Sequence, residues 1–144
     1  MSEELINEYI VSIFNNVLVI EENSLKSSQF NDLSLKEMHT IDAIGSIKDC
    51  QPTHVAQTLM VTLGTVTASL NRLEEKGYIE RKRSMRDRRV VNLYLTKKGR
   101  LIYRLHRKFH RRMIAEIAEG FTPEEFEVMK KGLFKLHSFL EGLK

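Results

Sequence analysis

Apolar residues at Ile6, Tyr9, Ile10, Ile13, Val17 and Ile20 recur at helical spacing, so the chain opens with a long helix over about 4–28. Val11, Phe14 and Leu18 widen that stripe beyond what one neighbour covers, which predicts a helix wrapped on several sides. A second helix is expected over 34–46, with Ser34 as N-cap, Glu37 three positions on and Gly45 near its end. A short third helix, roughly 53–60, carries Val55, Ala56 and Leu59 behind Pro52. Thr62 caps a fourth, 63–76, whose inward positions are Val66, Leu70 and Leu73 and which Gly77 ends.

The period then changes to two. Residues 78–83 and 89–95 read as strands; in the second, Val91, Leu93 and Leu95 alternate with Val90, Asn92 and Tyr94. Thr96 caps a long helix to about 119, with Leu101, Leu105, Phe109 and Met113 at successive i,i+4 steps. Gly120 stops it. Thr122, Pro123 and Glu125 then supply a cap, a first helical position and a capping box for the last helix. Phe126, Met129, Leu133, Leu136, Leu140 and Leu143 repeat at steps of three and four, the seam of a helix that pairs with another helix.

This order predicts a mainly α (α+β) fold over a single domain of 1–144. Two short helices joined by a tight turn, the second with an apolar inner face, describe a helix-turn-helix, and the ribbon behind them makes it winged. The winged unit spans 34–96, with its wing at 78–95. Residues 1–30 and 97–144 are amphipathic helices with stripes that no third element covers, so a second copy of the chain is expected there as a dimer partner.

Hydrophobic residues at 42% and charged residues at 29% fit a soluble globular chain. No stretch approaches the ~20 apolar residues that span a bilayer. The single cysteine, Cys50, rules out an internal disulfide framework and suits a reducing cytoplasm. The net charge of +4 conceals an asymmetry: residues 72–112 hold 16 Lys+Arg against 4 Asp+Glu, while the remainder is net acidic. Such a basic block suits an anionic partner.

On the fourth helix Gly64, Thr67, Ala68, Asn71 and Arg72 project outward with Thr65 at the flank. Small and hydrogen-bonding side chains of this kind seat against base edges in a major groove, and Asn suits adenine. The same face is also compatible with an ordinary solvated helix. The stretch RSMRDRR sharpens the reading. Arg81, Lys82, Arg83, Arg86, Arg88 and Arg89 surround Asp87, and guanidinium groups at a ribbon tip can enter a narrow minor groove. Asp87, two residues before Arg89, is placed to hold that guanidinium by paired hydrogen bonds. The DNA-contacting set is therefore Thr62, Thr65, Thr67, Asn71, Arg72, Arg86, Asp87, Arg88 and Arg89.

Three spaced signatures occur in order: L-x-x-L-E-x-K-G-Y-I-E-R at Leu70 to Arg81, D-x-R at Asp87 and Arg89, and L-T-x-x-G at Leu95 to Gly99. They resemble the MarR family of bacterial transcription regulators. The resemblance implies a homodimer on a pseudo-palindromic operator, with recognition helices in successive major grooves and wings in flanking minor grooves. Within that family, INEYIVSIFNNVLVIEE, SLKEMHTIDAIG, LMVTLGTVTASLN, DRRVVNLYLTKKGRLIYRLHRKFH and HSFLEGLK resemble the repressors of fatty-acid-synthesis genes of Gram-positive cocci. That resemblance implies a long-chain acyl group on acyl carrier protein as co-repressor.

The fifth helix fits such an acidic partner, because Arg100, Arg104, Arg107, Lys108 and Arg111 give it a basic face. A cleft between its apolar side and the first two helices is the expected acyl site. The candidate walls are Phe14, Val17, Leu18, Met38, Ile41, Leu105, His106, Phe109, His110 and Met113. Each of these also reads as an ordinary core residue. His106 and His110 stand at the i,i+4 spacing of a helical metal pair. Zinc wants three or four ligands, and the neighbours in sequence are cationic or apolar, so no metal is expected. Cys50 lies in the loop before the third helix, away from the first-helix position of peroxide-sensing relatives, and reads as non-sensory.

Two other readings remain: a MarR-type sensor of a small hydrophobic or aromatic compound, and a sequence-neutral DNA-binding protein with steep salt dependence. No phosphate loop, metal cluster or nucleophile with a placed base points to an enzyme, and T-L-G-T lacks the lysine of a phosphate-binding loop. No cofactor is expected.

Overall fold

A computed structural model of the chain describes residues 2–144. Six helices and one two-stranded antiparallel sheet follow in the order α1 (Glu3–Lys26), α2 (Leu35–Ser46), α3 (Pro52–Leu59), α4 (Leu63–Glu75), β1 (Ile79–Arg83), β2 (Val91–Leu95), α5 (Lys97–Glu119), α6 (Pro123–Glu141). The expected mainly α winged helix-turn-helix is what forms. The chain divides into two compact units, one up to Leu105 and the other His106–Lys144.

The helix starts are local chemistry. Ser34 Oγ accepts the Glu37 N–H while the Glu37 carboxylate accepts the Ser34 N–H, the reciprocal box that satisfies two orphan donors. Thr62 and Thr122 cap α4 and α6 by accepting the N–H of Thr65 and Glu125. Among the described residues, only the Thr122 half of the box expected at α6 forms. His54 supplies an unexpected cap: its Nδ1 accepts the Gln51 N–H at 2.9 Å, steadying the start of α3.

In the first unit, Ile41, Val55, Leu70, Leu73 and Tyr78 are almost wholly enclosed and tie α2, α3, α4 and the ribbon into one core. Tyr78 anchors the junction of α4 and β1. Its hydroxyl donates to Asp32 Oδ1 at 2.6 Å, and Lys98 lies 4.3 Å from its ring centroid. Beside it Lys76 Nζ donates to both oxygens of Glu37 at 3.1 Å. The L-T-x-x-G signature has a steric reason here. Thr96 Oγ1 accepts the Gly99 N–H at the start of α5, and a Cβ at Gly99 would collide with the Tyr78 carbonyl oxygen.

Within a single copy the wide stripe of α1 is left uncovered, where a second copy is expected. Only Glu21 and Leu25 of α1 are buried, and Ile6, Tyr9, Ile10, Ile13 and Phe14 are exposed. In the second unit, α6 has no buried residue, and Leu133, Leu140 and Leu143 of its repeat are exposed.

Candidate nucleic-acid interface

The loop from α3 to α4 turns on Met60, whose left-handed backbone (φ 54°) closes α3. Thr62 then starts α4, so its hydroxyl is engaged at the helix end: it accepts the Thr65 N–H and lies 2.9 Å from the Thr65 hydroxyl. The α4 face expected to meet DNA is open, with Gly64, Thr65, Thr67, Ala68, Asn71 and Arg72 all exposed. Val66, Leu70 and Leu73 point into the core, as their spacing requires. At Gly64 an added Cβ would find only Thr62 Oγ1, 4.0 Å away, so nothing in the chain demands the glycine. Thr67 Oγ1 donates back to the Leu63 carbonyl at 2.9 Å, leaving its methyl and its acceptor lone pairs outward.

The wing pairs Ile79 with Leu95 and Arg83 with Val91, leaving residues 84–90 as its tip. Strand β2 starts later than the periodicity suggests, because Val90 N–H donates to the Asp87 carbonyl and Ser84 N–H to the Val90 carbonyl, a tight turn that absorbs residues 87–90. The Asp87–Arg89 arrangement is the one expected. Arg89 Nε and Nη2 donate to the two carboxylate oxygens at 3.1 and 3.2 Å, and the Arg89 N–H donates to Oδ1 at 3.0 Å. These bonds hold the Asp87 carboxyl below the usual carboxylate range. Arg86, Arg88 and Arg89 are exposed at the tip. Arg83 Nη1 donates to the Arg88 carbonyl at 2.8 Å and stiffens the turn.

Arg81 departs from the expected cluster around Asp87. It reaches back to α4, where Nε donates to Glu74 Oε2 at 3.0 Å and Nη2 to Asn71 Oδ1 at 2.6 Å. Arg81 holds the Glu74 carboxyl below its ordinary range. The sequence contained both partners, but a turn separates them and no periodic pattern predicts contact between a helix face and a strand.

The expected acyl-site residues fall in different settings. Met38 and Ile41 are enclosed in the core of the first unit, Val17 and Leu18 are half-buried, and Phe14 and Leu105 are exposed. In the second unit His106 is buried, while Phe109, His110 and Met113 are half-buried. The His106 and His110 rings meet edge to face with centroids 4.5 Å apart. Arg100, Arg104, Arg107, Lys108 and Arg111 are all exposed along α5. Arg100 and Arg104 border an open cleft of about 710 Å³, with Ile44, Leu93 and Tyr103 among its walls. Gly45 gives Tyr103 its place there, since a Cβ would stand 2.6 Å from the ring. Cys50 is fully enclosed and burial pushes its thiol up to about 11, the opposite of a reactive thiolate.

A capped recognition helix with an open polar face and an arginine-tipped wing define a winged-helix DNA-binding protein. Comparisons with known proteins agree. The MarR family model matches residues 31–90. The chain is 62% identical to FabT of Streptococcus pneumoniae, solved in complex with DNA; the match covers 99% of this chain and 100% of that one, with a TM-score of 0.91. The DNA complex of MepR from S. aureus is 25% identical over 92% of this chain and 96% of its own, with a TM-score of 0.71. The HTH-type transcriptional regulator YfiV of Bacillus subtilis is 30% identical over 78% of this chain and 71% of its own length. The chain belongs to the MarR family and is a DNA-binding transcriptional regulator, not an enzyme. No helix among the described residues is long and apolar enough to cross a membrane.

Proposed function

We propose that the chain is a homodimeric repressor of fatty-acid-synthesis genes, and that a long-chain acyl group on acyl carrier protein strengthens its grip on a pseudo-palindromic operator. The observation that carries this reading is the 62% identity, along essentially the whole of both chains, to FabT in complex with DNA. Dimerisation is supported by the apolar rows that α1 and α6 leave exposed. Carrier-protein docking is supported by the basic, exposed run of Arg100, Arg104, Arg107, Lys108 and Arg111, which complements an acidic partner. In this reading Thr62, Thr65, Thr67, Asn71 and Arg72 serve the major groove, while Arg86, Arg88 and Arg89 serve the minor groove with Asp87 as aim.

The test is fluorescence anisotropy on a palindrome-bearing promoter fragment, at one fixed salt concentration, with scrambled DNA alongside. Unloaded and long-chain-acylated carrier protein are titrated in turn. Tighter operator binding only with the acylated form is the expected result. Charge reversal at Arg104 and Arg107 should reduce that response more than basal DNA binding. Specific binding indifferent to both forms would remove the lipid assignment. A second reading is a sensor of a small hydrophobic or aromatic compound, for which the open cleft walled by Ile44, Leu93 and Tyr103 is the candidate site. That reading predicts release or tightening by a small molecule alone.

A further inference from the structure

Asn71 stands on the open face of α4, where its amide can read a base edge. A free asparagine amide presents an acceptor and a donor side by side, the pair that matches N6 and N7 of adenine. In this structure the amide is not free. Arg81 Nη2 meets Asn71 Oδ1 at 2.6 Å. A guanidinium carries donors only, so the atom facing it is the carbonyl oxygen, and the amide cannot be turned over without losing the bond. The two N–H bonds of Asn71 therefore point away from Arg81. A cationic donor on the carbonyl also polarises the amide and makes those N–H groups stronger donors.

Arg81 is itself held in place. Its Nε and Nη2 donate to Glu74 Oε2 and Oε1 at 3.0 and 3.3 Å, a two-point grip on a planar group. Glu74 lies three residues beyond Asn71, on the same side of α4. Arg81 leaves β1 opposite Leu93, in the paired part of the ribbon. A strand of the wing thus sets the orientation of a side chain on the recognition helix.

We propose that Arg81 is a positioning residue that occupies the Asn71 carbonyl and turns its N–H groups outward, so that Asn71 selects a base whose major-groove edge offers acceptors and no amino donor, guanine or thymine, over adenine, whose N6 amino group would face those N–H groups. The proposal rests on α4 being the recognition helix.

The test starts from the duplex that the wild-type protein selects from a random pool. Binding is measured to every single-base variant of one half-site, for wild type, Asn71→Ala, Arg81→Met and Arg81→Lys, each first checked by thermal melting. At one position the wild type should prefer guanine or thymine by roughly tenfold, within the range of a specific base contact. Asn71→Ala should erase that preference. Arg81→Met should erode it at the same position only, and Arg81→Lys, which keeps a cationic donor, should retain part of it. Preference for adenine at the Asn71-dependent position would overturn the proposal. So would uniform weakening by Arg81→Met on all variants with the base profile intact, the mark of a purely structural residue. If Asn71→Ala changes preference at no position, the assignment of α4 itself is at fault.

Discussion

Arg89 is the side chain on which the wing's aim depends, because Asp87 fixes both its backbone N–H and its guanidinium. Replacing Arg89 by Ala should weaken operator binding about tenfold and lower the salt dependence by roughly one phosphate's worth, without altering the dimer's mass. Anisotropy at several salt concentrations, with sedimentation alongside, reads both. Unchanged affinity would sink the wing assignment. Two glycines separate packing from function at the same scale. Gly99→Ala forces a methyl into the Tyr78 carbonyl and should destabilise the fold by about 1–3 kcal/mol. Gly64→Ala meets open space on an exposed helix, so melting should rise with a gain of about 0.5–1 kcal/mol. If DNA affinity nevertheless falls in Gly64→Ala, the glycine serves the close approach of the duplex.

At the scale of elements, Lys76 ties the end of α4 to the start of α2. Burial pushes the Glu37 carboxyl up, but the Ser34 N–H, Lys76 and the Ser34 hydroxyl together hold it below its ordinary value. A carboxyl whose native pKa is depressed adds stability above its unfolded pKa near ~4.3, and that share is lost as pH falls through the native value. Lys76→Met should thus cost about 1–3 kcal/mol at pH 7 and much less in acid, measured by urea unfolding at several pH values. A cost that does not change with pH would refute the pairing. The sequence was informative about these elements where the chemistry is local. Ser34 with Glu37, Thr62, Thr96 and Thr122 mark helix starts within one turn, and the Asp87–Arg89 pair spans two residues. It was silent where contact crosses elements. Arg81 read as part of the tip because its neighbours in sequence are there, although Glu74 and Asn71 are its neighbours in space. The cap that His54 provides was missed because histidine is seldom a cap. The expected acyl walls range from the enclosed Ile41 to the exposed Phe14, since helical spacing reports a face and not its neighbour.

At the scale of the whole molecule, the apolar rows of α1 and α6 are the least satisfied feature of a single copy. Ile13 is 60% exposed and Leu140 51% exposed, so a charge at either leaves the chain's own core intact. Ile13→Glu and Leu140→Glu should therefore yield a folded monomer by sedimentation. Operator affinity should collapse with it, because a palindrome engages two recognition helices together. A variant that stays dimeric would place the interface elsewhere.

The enclosure of Cys50 gives the protein a built-in clock. It is the chain's single thiol, it is fully shielded, and its carbonyl accepts the Leu93 N–H that ties the α2–α3 loop to the wing. A thiol reagent can reach it only when that packing parts, so the labelling rate counts the openings of the winged unit. Operator DNA that binds only the closed form should slow labelling in proportion to its occupancy. Affinity would then be readable from one unmodified cysteine, without a dye on either molecule.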